Sequence, residues 1–244
     1  EVHALYIHAS ILNLPGLTMR FYFYGHSFSL SLIVNIACAF IFTEAFAQPS
    51  NLSFETYDRA KGLSQNYVYA IAQDNNGFMW FGTDEGLNRF DGHQFRIFRH
   101  DHNDKNSITD NSVRALAVAD NGVLWIGSAN GISRYYPETE FVEQLSVDYD
   151  DPSLPNGTSV NEIRKAPDGK IWIAYLGSGV DVYDPKKNEF IHYTVHRNYK
   201  YRLVNDYVVS LYFMQDGVTL LGTRSGIQFV GADQPAPGTE VRRG

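Results

Sequence analysis

Four segments of the sequence superimpose on one another, and this self-similarity narrows the possible folds more than any other property of the chain. The first reads Asp74-Asn75-Asn76-Gly77-Phe78-Met79-Trp80-Phe81-Gly82-Thr83, followed by Gly86-Leu87-Asn88-Arg89-Phe90. The second reads Asp120-Asn121-Gly122-Val123-Leu124-Trp125-Ile126-Gly127-Ser128, followed by Gly131-Ile132-Ser133-Arg134-Tyr135. Asp168-Gly169-Lys170-Ile171-Trp172-Ile173-Ala174 with Gly179-Val180-Asp181-Val182-Tyr183 forms the third. The fourth is Asp216-Gly217-Val218-Thr219-Leu220-Leu221-Gly222-Thr223 with Gly226-Ile227-Gln228-Phe229. Trp80, Trp125, Trp172 and Leu220 mark equivalent places 45, 47 and 48 residues apart, too regular a spacing for chance.

Each repeat resolves into short strands. Twelve residues before each marker stands a valine (Val68, Val113, Val160, Val208), with an aliphatic three further on (Ile71, Leu116, Ile163, Leu211), which makes a first strand. An Asp and Gly turn leads into a second strand at the marker, and the following Gly turns the chain into a third that ends near an aromatic. Phe95-Arg96-Ile97-Phe98, Phe141-Val142-Glu143-Gln144-Leu145 and Phe190-Ile191-His192-Tyr193 supply a fourth. Aromatics at 14%, charged residues at only 19% and 20 glycines suit such strands and turns better than solvated helices. The expected fold is all-β, a β-propeller of about four four-stranded blades over residues 64–98, 107–145, 154–193 and 203–230, with each Trp filling the space between neighbouring blades. Leu52-Ser53-Phe54-Glu55-Thr56-Tyr57 has the pattern of a further outermost strand without its own blade, so an incomplete ring from a larger propeller is expected.

The order Asp, Gly, Trp, Ile or Phe, Gly, Thr or Ser, then Gly, Leu or Ile, Arg and an aromatic resembles the two-component regulator propeller repeat. Gly62-Leu63-Ser64-Gln65-Asn66-Tyr67-Val68 and Ser107-Ile108-Thr109-Asp110-Asn111-Ser112-Val113 resemble that family's inter-blade loop. The resemblance covers roughly residues 52–230, with Ala174 replacing Gly and Leu220 replacing Trp in the last two blades. It implies the periplasmic sensor half of a Bacteroidetes-type hybrid histidine kinase, with an oligosaccharide as ligand. It also implies a parent anchored in the inner membrane, working as a homodimer, whose remaining blades and kinase portion are partners of this segment. A propeller enzyme, lyase or glycosidase, and a protein-interaction propeller are the alternatives. The parent would be a kinase, whereas this segment is expected to catalyse nothing.

Residues 1–18 precede the first methionine, Met19, and are expected to be an upstream extension foreign to the fold. Residues 19–47 have the order of a secretory signal peptide: Arg20, an apolar run from Leu30 to Phe42, and Ala45-Phe46-Ala47 at the cleavage site. Cys38, the single cysteine, lies within that apolar run, so the exported chain has no disulfide and rests on packing alone. Residues 231–244 fit no repeat and are expected to be a linker or an aberrant tail. A net charge of −7 without a basic stripe argues against nucleic acid as a partner.

No phosphate loop, nucleophile elbow or metalloprotease helix occurs in the sequence. His192 and His196 have a helical ligand spacing but fall on and after a strand, where residues four apart do not converge in that way. Asp101-His102-Asn103-Asp104-Lys105 begins like a calcium loop, yet Lys105 stands where an oxygen is needed, and a solvated loop is the better reading. No metal or cofactor is expected. The candidate ligand positions flank each first valine and differ from blade to blade: Asn66, Asn111 and Asp206 before it, and Tyr69, Arg114 and Asn161 after it, as a pocket near a central channel requires. Ordinary loop variation would give the same pattern.

Overall fold

The computed structural model of the chain describes residues 53–148, 151, 153–196 and 201–231. The expected upstream extension, signal peptide and tail beyond 231 lie outside the described residues.

Among the described residues, sixteen strands follow a 3-10 turn at Arg59–Lys61. The first sheet is a meander of β1 (Val68–Gln73), β2 (Met79–Thr83), β3 (Gly86–Phe90) and β4 (Phe95–Phe98). The second contains β5 (Val113–Val118), β6 (Leu124–Ser128), β7 (Gly131–Tyr136) and β8 (Phe141–Leu145). β9 (Val160–Lys165), β10 (Ile171–Tyr175), β11 (Val180–Asp184) and β12 (Glu189–Thr194) make the third, and β14 (Val208–Phe213), β15 (Thr219–Thr223) and β16 (Gly226–Val230) the fourth. These pairings are antiparallel throughout. A two-residue strand, β13 (Tyr201–Arg202), adds to β12 in parallel and was not expected from the sequence. Successive sheets meet through their first strands, β1 against β5, β5 against β9 and β9 against β14, so the four blades stand in an open arc around those inner strands.

The strand expected at residues 52–57 does not form over its described part: residues 53–58 carry no ladder. Tyr57 instead packs edge-on against Phe90 and Phe95, at ring distances of 4.9 and 6.0 Å. Covering the β3–β4 hairpin buries aromatic surface that a strand lying apart from it would leave exposed.

The turn ahead of each second strand is built on Gly77, Gly122, Gly169 and Gly217, three residues before each marker, with φ of 87°, 81°, 85° and 83°. Only glycine holds that conformation without strain. The acidic residues are not equivalent in the same way. In register with Asp168 and Asp216 stand Asn76 and Asn121, and the Oδ1 atoms of Asn121, Asp168 and Asp216 each accept the backbone N–H two residues on, at 3.2, 3.1 and 3.1 Å. Asp74 sits two residues earlier than that position. It accepts from Asn76 N, Phe78 N and the Trp80 indole N–H at 2.9, 3.0 and 2.7 Å. Asp120 instead faces Lys165 of the next blade.

The core lies between blades. Trp80 packs on Tyr135 at 4.8 Å within a cluster that includes Leu87, Val113 and Ile126. Trp125 packs on Tyr183 at 4.9 Å beside Ile163 and Ile173. Trp172 meets Phe213 at 5.8 Å beside Val208 and Leu221. Each indole is therefore the filler its sequence position predicts. Backbone bonds repeat the same join: the Gly86 and Gly131 N–H groups donate to the carbonyls of Asn111 and Thr158, both at 2.8 Å, and Gly179 donates to that of Asp206 at 2.9 Å.

Candidate functional site

Every inner strand is irregular at the same place. Val68 opposes Thr83 and Ala70 opposes Gly82, so Tyr69 is an extra residue in the ladder. The same shift isolates Arg114 in β5, Asn161 in β9 and Val209 in β14. A bulge at a repeated position bends the strand and re-aims one side chain. All four bulged residues line one groove of about 690 Å³, whose walls are β1, β5, β9 and β14. The scaffold is thus constant, while the side chains it presents are a phenol, a guanidinium, an amide and an isopropyl group.

Neighbouring groups fix some of these side chains. The Tyr69 hydroxyl donates to Asp84 Oδ2 at 2.6 Å, and Ser112 Oγ of the next blade donates to Asp84 Oδ1 at 2.7 Å. These two bonds, the first foremost, hold the Asp84 carboxyl below its usual range, and the Arg114 charge adds to the effect. The same bond raises the Tyr69 phenol above its usual value, because ionisation would place two negative charges together. Tyr67 stands beside it with ring centres 4.6 Å apart, and both rings are exposed. Across the groove Asn161 Nδ2 donates to the Val209 carbonyl at 2.9 Å. Glu162 accepts the Leu211 N–H at 2.7 Å and pairs with Arg164.

The structure separates the six candidate positions into two sets. Tyr69, Arg114 and Asn161 share the groove. Asn66, Asn111 and Asp206 spend their side chains on the chain itself. Asn66 Oδ1 accepts from Arg59 N at 3.0 Å, and Asn111 Oδ1 from His100 N at 2.8 Å. Asp206 accepts from Val195 N at 2.8 Å and from the Thr194 hydroxyl at 3.2 Å.

His192 points to Asp181 at 2.6 Å, buried within blade three. In the loop at 101–105, Asp101 Oδ1 accepts from Asn103 N at 2.9 Å, which closes a local turn. Among the described residues no group of three or more His, Cys, Asp or Glu side chains is placed to hold a metal.

Two sets of residues escaped the sequence reading. Asp84 lies at a turn whose counterparts, Ala129 and Arg224, are chemically different, so blade-to-blade variation was the available signal. Asn88, Ser133, Asp181 and Gln228 stand two residues after the third-strand glycine and are all buried. Each accepts a backbone N–H from the loop entering its blade: Ser64, Thr109, Asn156 and Val204, at 2.9, 3.0, 2.7 and 3.0 Å. Four different side chains do one job there, and their shared property in sequence is an acceptor oxygen.

The fold and groove define a β-propeller segment whose inner strands present variable side chains. Residues 62–85 and 107–130 match the repeat described as two component regulator propeller, so the chain carries repeats of that kind. It is 43% identical over 74 residues to histidine kinase P4 of Formosa agariphila, a match covering 30% of this chain and 5% of that one. Among solved structures it resembles the extracellular domain assigned to the hybrid two component system BT3049 of B. thetaiotaomicron, with a TM-score of 0.66 and 26% identity, over 72% of this chain and 25% of that one. The corresponding domain of BT4673 shares the fold, with a TM-score of 0.56 and 21% identity over 71% and 22% of the two chains. The chain therefore spans about a quarter of the solved domains it matches.

Proposed function

We propose that this chain is a ligand-sensing segment of the exported, periplasmic part of a hybrid two-component sensor, whose kinase portion receives the signal. The ligand is an oligosaccharide held in the groove between the inner strands. The parent is anchored in the inner membrane and signals as a homodimer. The observation that carries the reading is the set of four equivalent bulges bearing four different side chains over an otherwise repeated scaffold. Packing alone gives no reason to vary a position that touches no core. Exposed tyrosines beside hydrogen-bonding amide and hydroxyl groups suit the apolar faces and hydroxyls of a sugar. Kinship with a histidine kinase and with extracellular domains of two-component systems supports the sensing role and the location.

The test is binding of a panel of oligosaccharides to the chain by calorimetry, with product analysis of the same mixtures. A saccharide recovered intact, with affinity falling tenfold or more in Tyr69→Ala and Asn161→Ala, is the expected result. Turnover of the bound sugar would replace the sensing role by an enzymatic one, and absence of binding across the panel would refute the oligosaccharide assignment.

A further inference from the structure

Resting on that functional reading, we infer that the groove selects an anionic saccharide, one bearing a carboxylate or sulfate group, and that Arg114 is the residue that recognises its charge. Among the described residues, each carboxylate near the groove already accepts from protein donors. Asp84 takes Tyr69 and Ser112, one on each oxygen, and Glu162 takes the Leu211 N–H and Arg164. The remaining cations there are spent as well: Arg164 pairs with Glu162, and Lys165 with Asp120. Arg114 differs from both. Among the described residues it makes no hydrogen bond, ion pair or ring contact, although the bulge carries it into the groove.

A guanidinium with five donors, half-buried and unmatched, presents a planar fork to any doubly oxygenated anion that enters. Asp84 lies close enough for its titration to feel Arg114, but it forms no ion pair with it; its two oxygens accept from Tyr69 and Ser112. Among the described residues the groove therefore offers a guanidinium without a hydrogen-bond partner beside carboxylates that already accept from protein donors, a bias that suits an acceptor-rich anion better than a neutral sugar. Tyr67 and Tyr69, 4.6 Å apart beside it, give the sugar ring an apolar surface.

Calorimetry of the full chain tests the assignment with two matched pairs: a uronate oligosaccharide against its carboxyl-reduced form, and a sulfated galactan oligosaccharide against its desulfated form. The anionic member of at least one pair is expected to bind at least tenfold more tightly, and which pair responds identifies carboxylate or sulfate. Arg114→Gln is expected to abolish that preference while leaving weak binding of the neutral member. Arg114→Lys should keep part of it, since charge without the fork is retained. Raised salt should weaken the anionic member selectively. Binding of neutral and anionic members with equal affinity, or a preference that survives Arg114→Gln in a variant with an unchanged melting curve, overturns this inference and leaves the oligosaccharide reading intact. Failure of all four saccharides to bind, where other neutral sugars of the panel do bind, overturns the inference alone; failure of every saccharide overturns both.

Discussion

Asp84 accepts one hydroxyl from its own blade, that of Tyr69, and one from the next, that of Ser112, and the protonation of Tyr69 and Asp84 follows from that geometry. The Asp84 carboxyl is held low by the bonds from Tyr69 and Ser112, so its contribution to stability is present above the ordinary carboxylate range and is lost as pH falls through its lowered value. Tyr69→Phe removes the leading cause. The Asp84 resonance, followed by NMR through an acid titration, should then move its midpoint upward, and an unchanged midpoint would show that the bond is absent in solution. Tyr136 illustrates the opposite sign. Burial first, then its 2.6 Å bond to Glu143, pushes the phenol up to about 12. Folding favours the neutral phenol, so the stability it adds is complete below the ordinary value of 10.0 and disappears as pH rises toward about 12. In a spectrophotometric titration Tyr136→Phe should remove one late-ionising tyrosine, and an unaltered alkaline limb would contradict the assignment. Trp80 combines packing with polarity, since it is fully buried and donates to Asp74. Trp80→Ala is expected to cost about 3–5 kcal/mol. Trp80→Phe, which keeps most of the ring and removes the indole N–H, should cost about 1–3 kcal/mol. Denaturant unfolding measures both, and a Trp80→Phe variant as stable as the parent would mean that the hydrogen bond contributes nothing beyond packing.

Among elements, the second strand of each blade sets how closely the next blade approaches. A Cβ on Gly127 would lie 2.4 Å from Val160 Cγ1, and one on Gly82 would lie 2.7 Å from the Val113 carbonyl oxygen. Glycine is therefore needed where β2 and β6 meet the first valine of the following blade. In β10 the place belongs to Ala174, fully buried in the cluster that holds Val208, so the third interface has been opened by one methyl group. Gly127→Ala should destabilise the domain by about 1–3 kcal/mol through overpacking. Ala174→Gly should cost about 1 kcal/mol through a small void and added backbone freedom. Thermal melts of both variants decide the point: a neutral Gly127→Ala would mean that the blades can slide apart at no cost.

At the largest scale, the described blades form a row in which each is stabilised by its neighbours, an arrangement whose stability is close to a sum of unit and interface terms. β6 and β10 are buried along their full length, whereas β1 alternates half-buried with exposed residues and β16 exposes Ile227 and Phe229. Hydrogen exchange should therefore be slowest in β6 and β10 and faster in β1 and in β14–β16. Uniform protection across all four sheets would show a single cooperative unit instead.

Much of this was written in local sequence. The turn glycines at 77, 122, 169 and 217 need left-handed backbone, and a Trp recurring at the same place in three repeats needs a neighbouring unit to bury it, so both could be read from the repeat. Tyr69, Arg114 and Asn161 could be marked as variable but not as partners. Variation at Asn66, Asn111 and Asp206 carried the same signal, and those side chains hold loops. Tertiary structure made the distinction, because a bulge is a property of two paired strands: it exists only where Val68 meets Thr83 and Ala70 meets Gly82, and no single segment encodes that pairing. The same holds for Asp84 and for the unmatched charge of Arg114. The repeat determined the blade; strand pairing within each blade and packing between blades decided which of its residues face the groove, since both depend on distances that only the folded chain brings together.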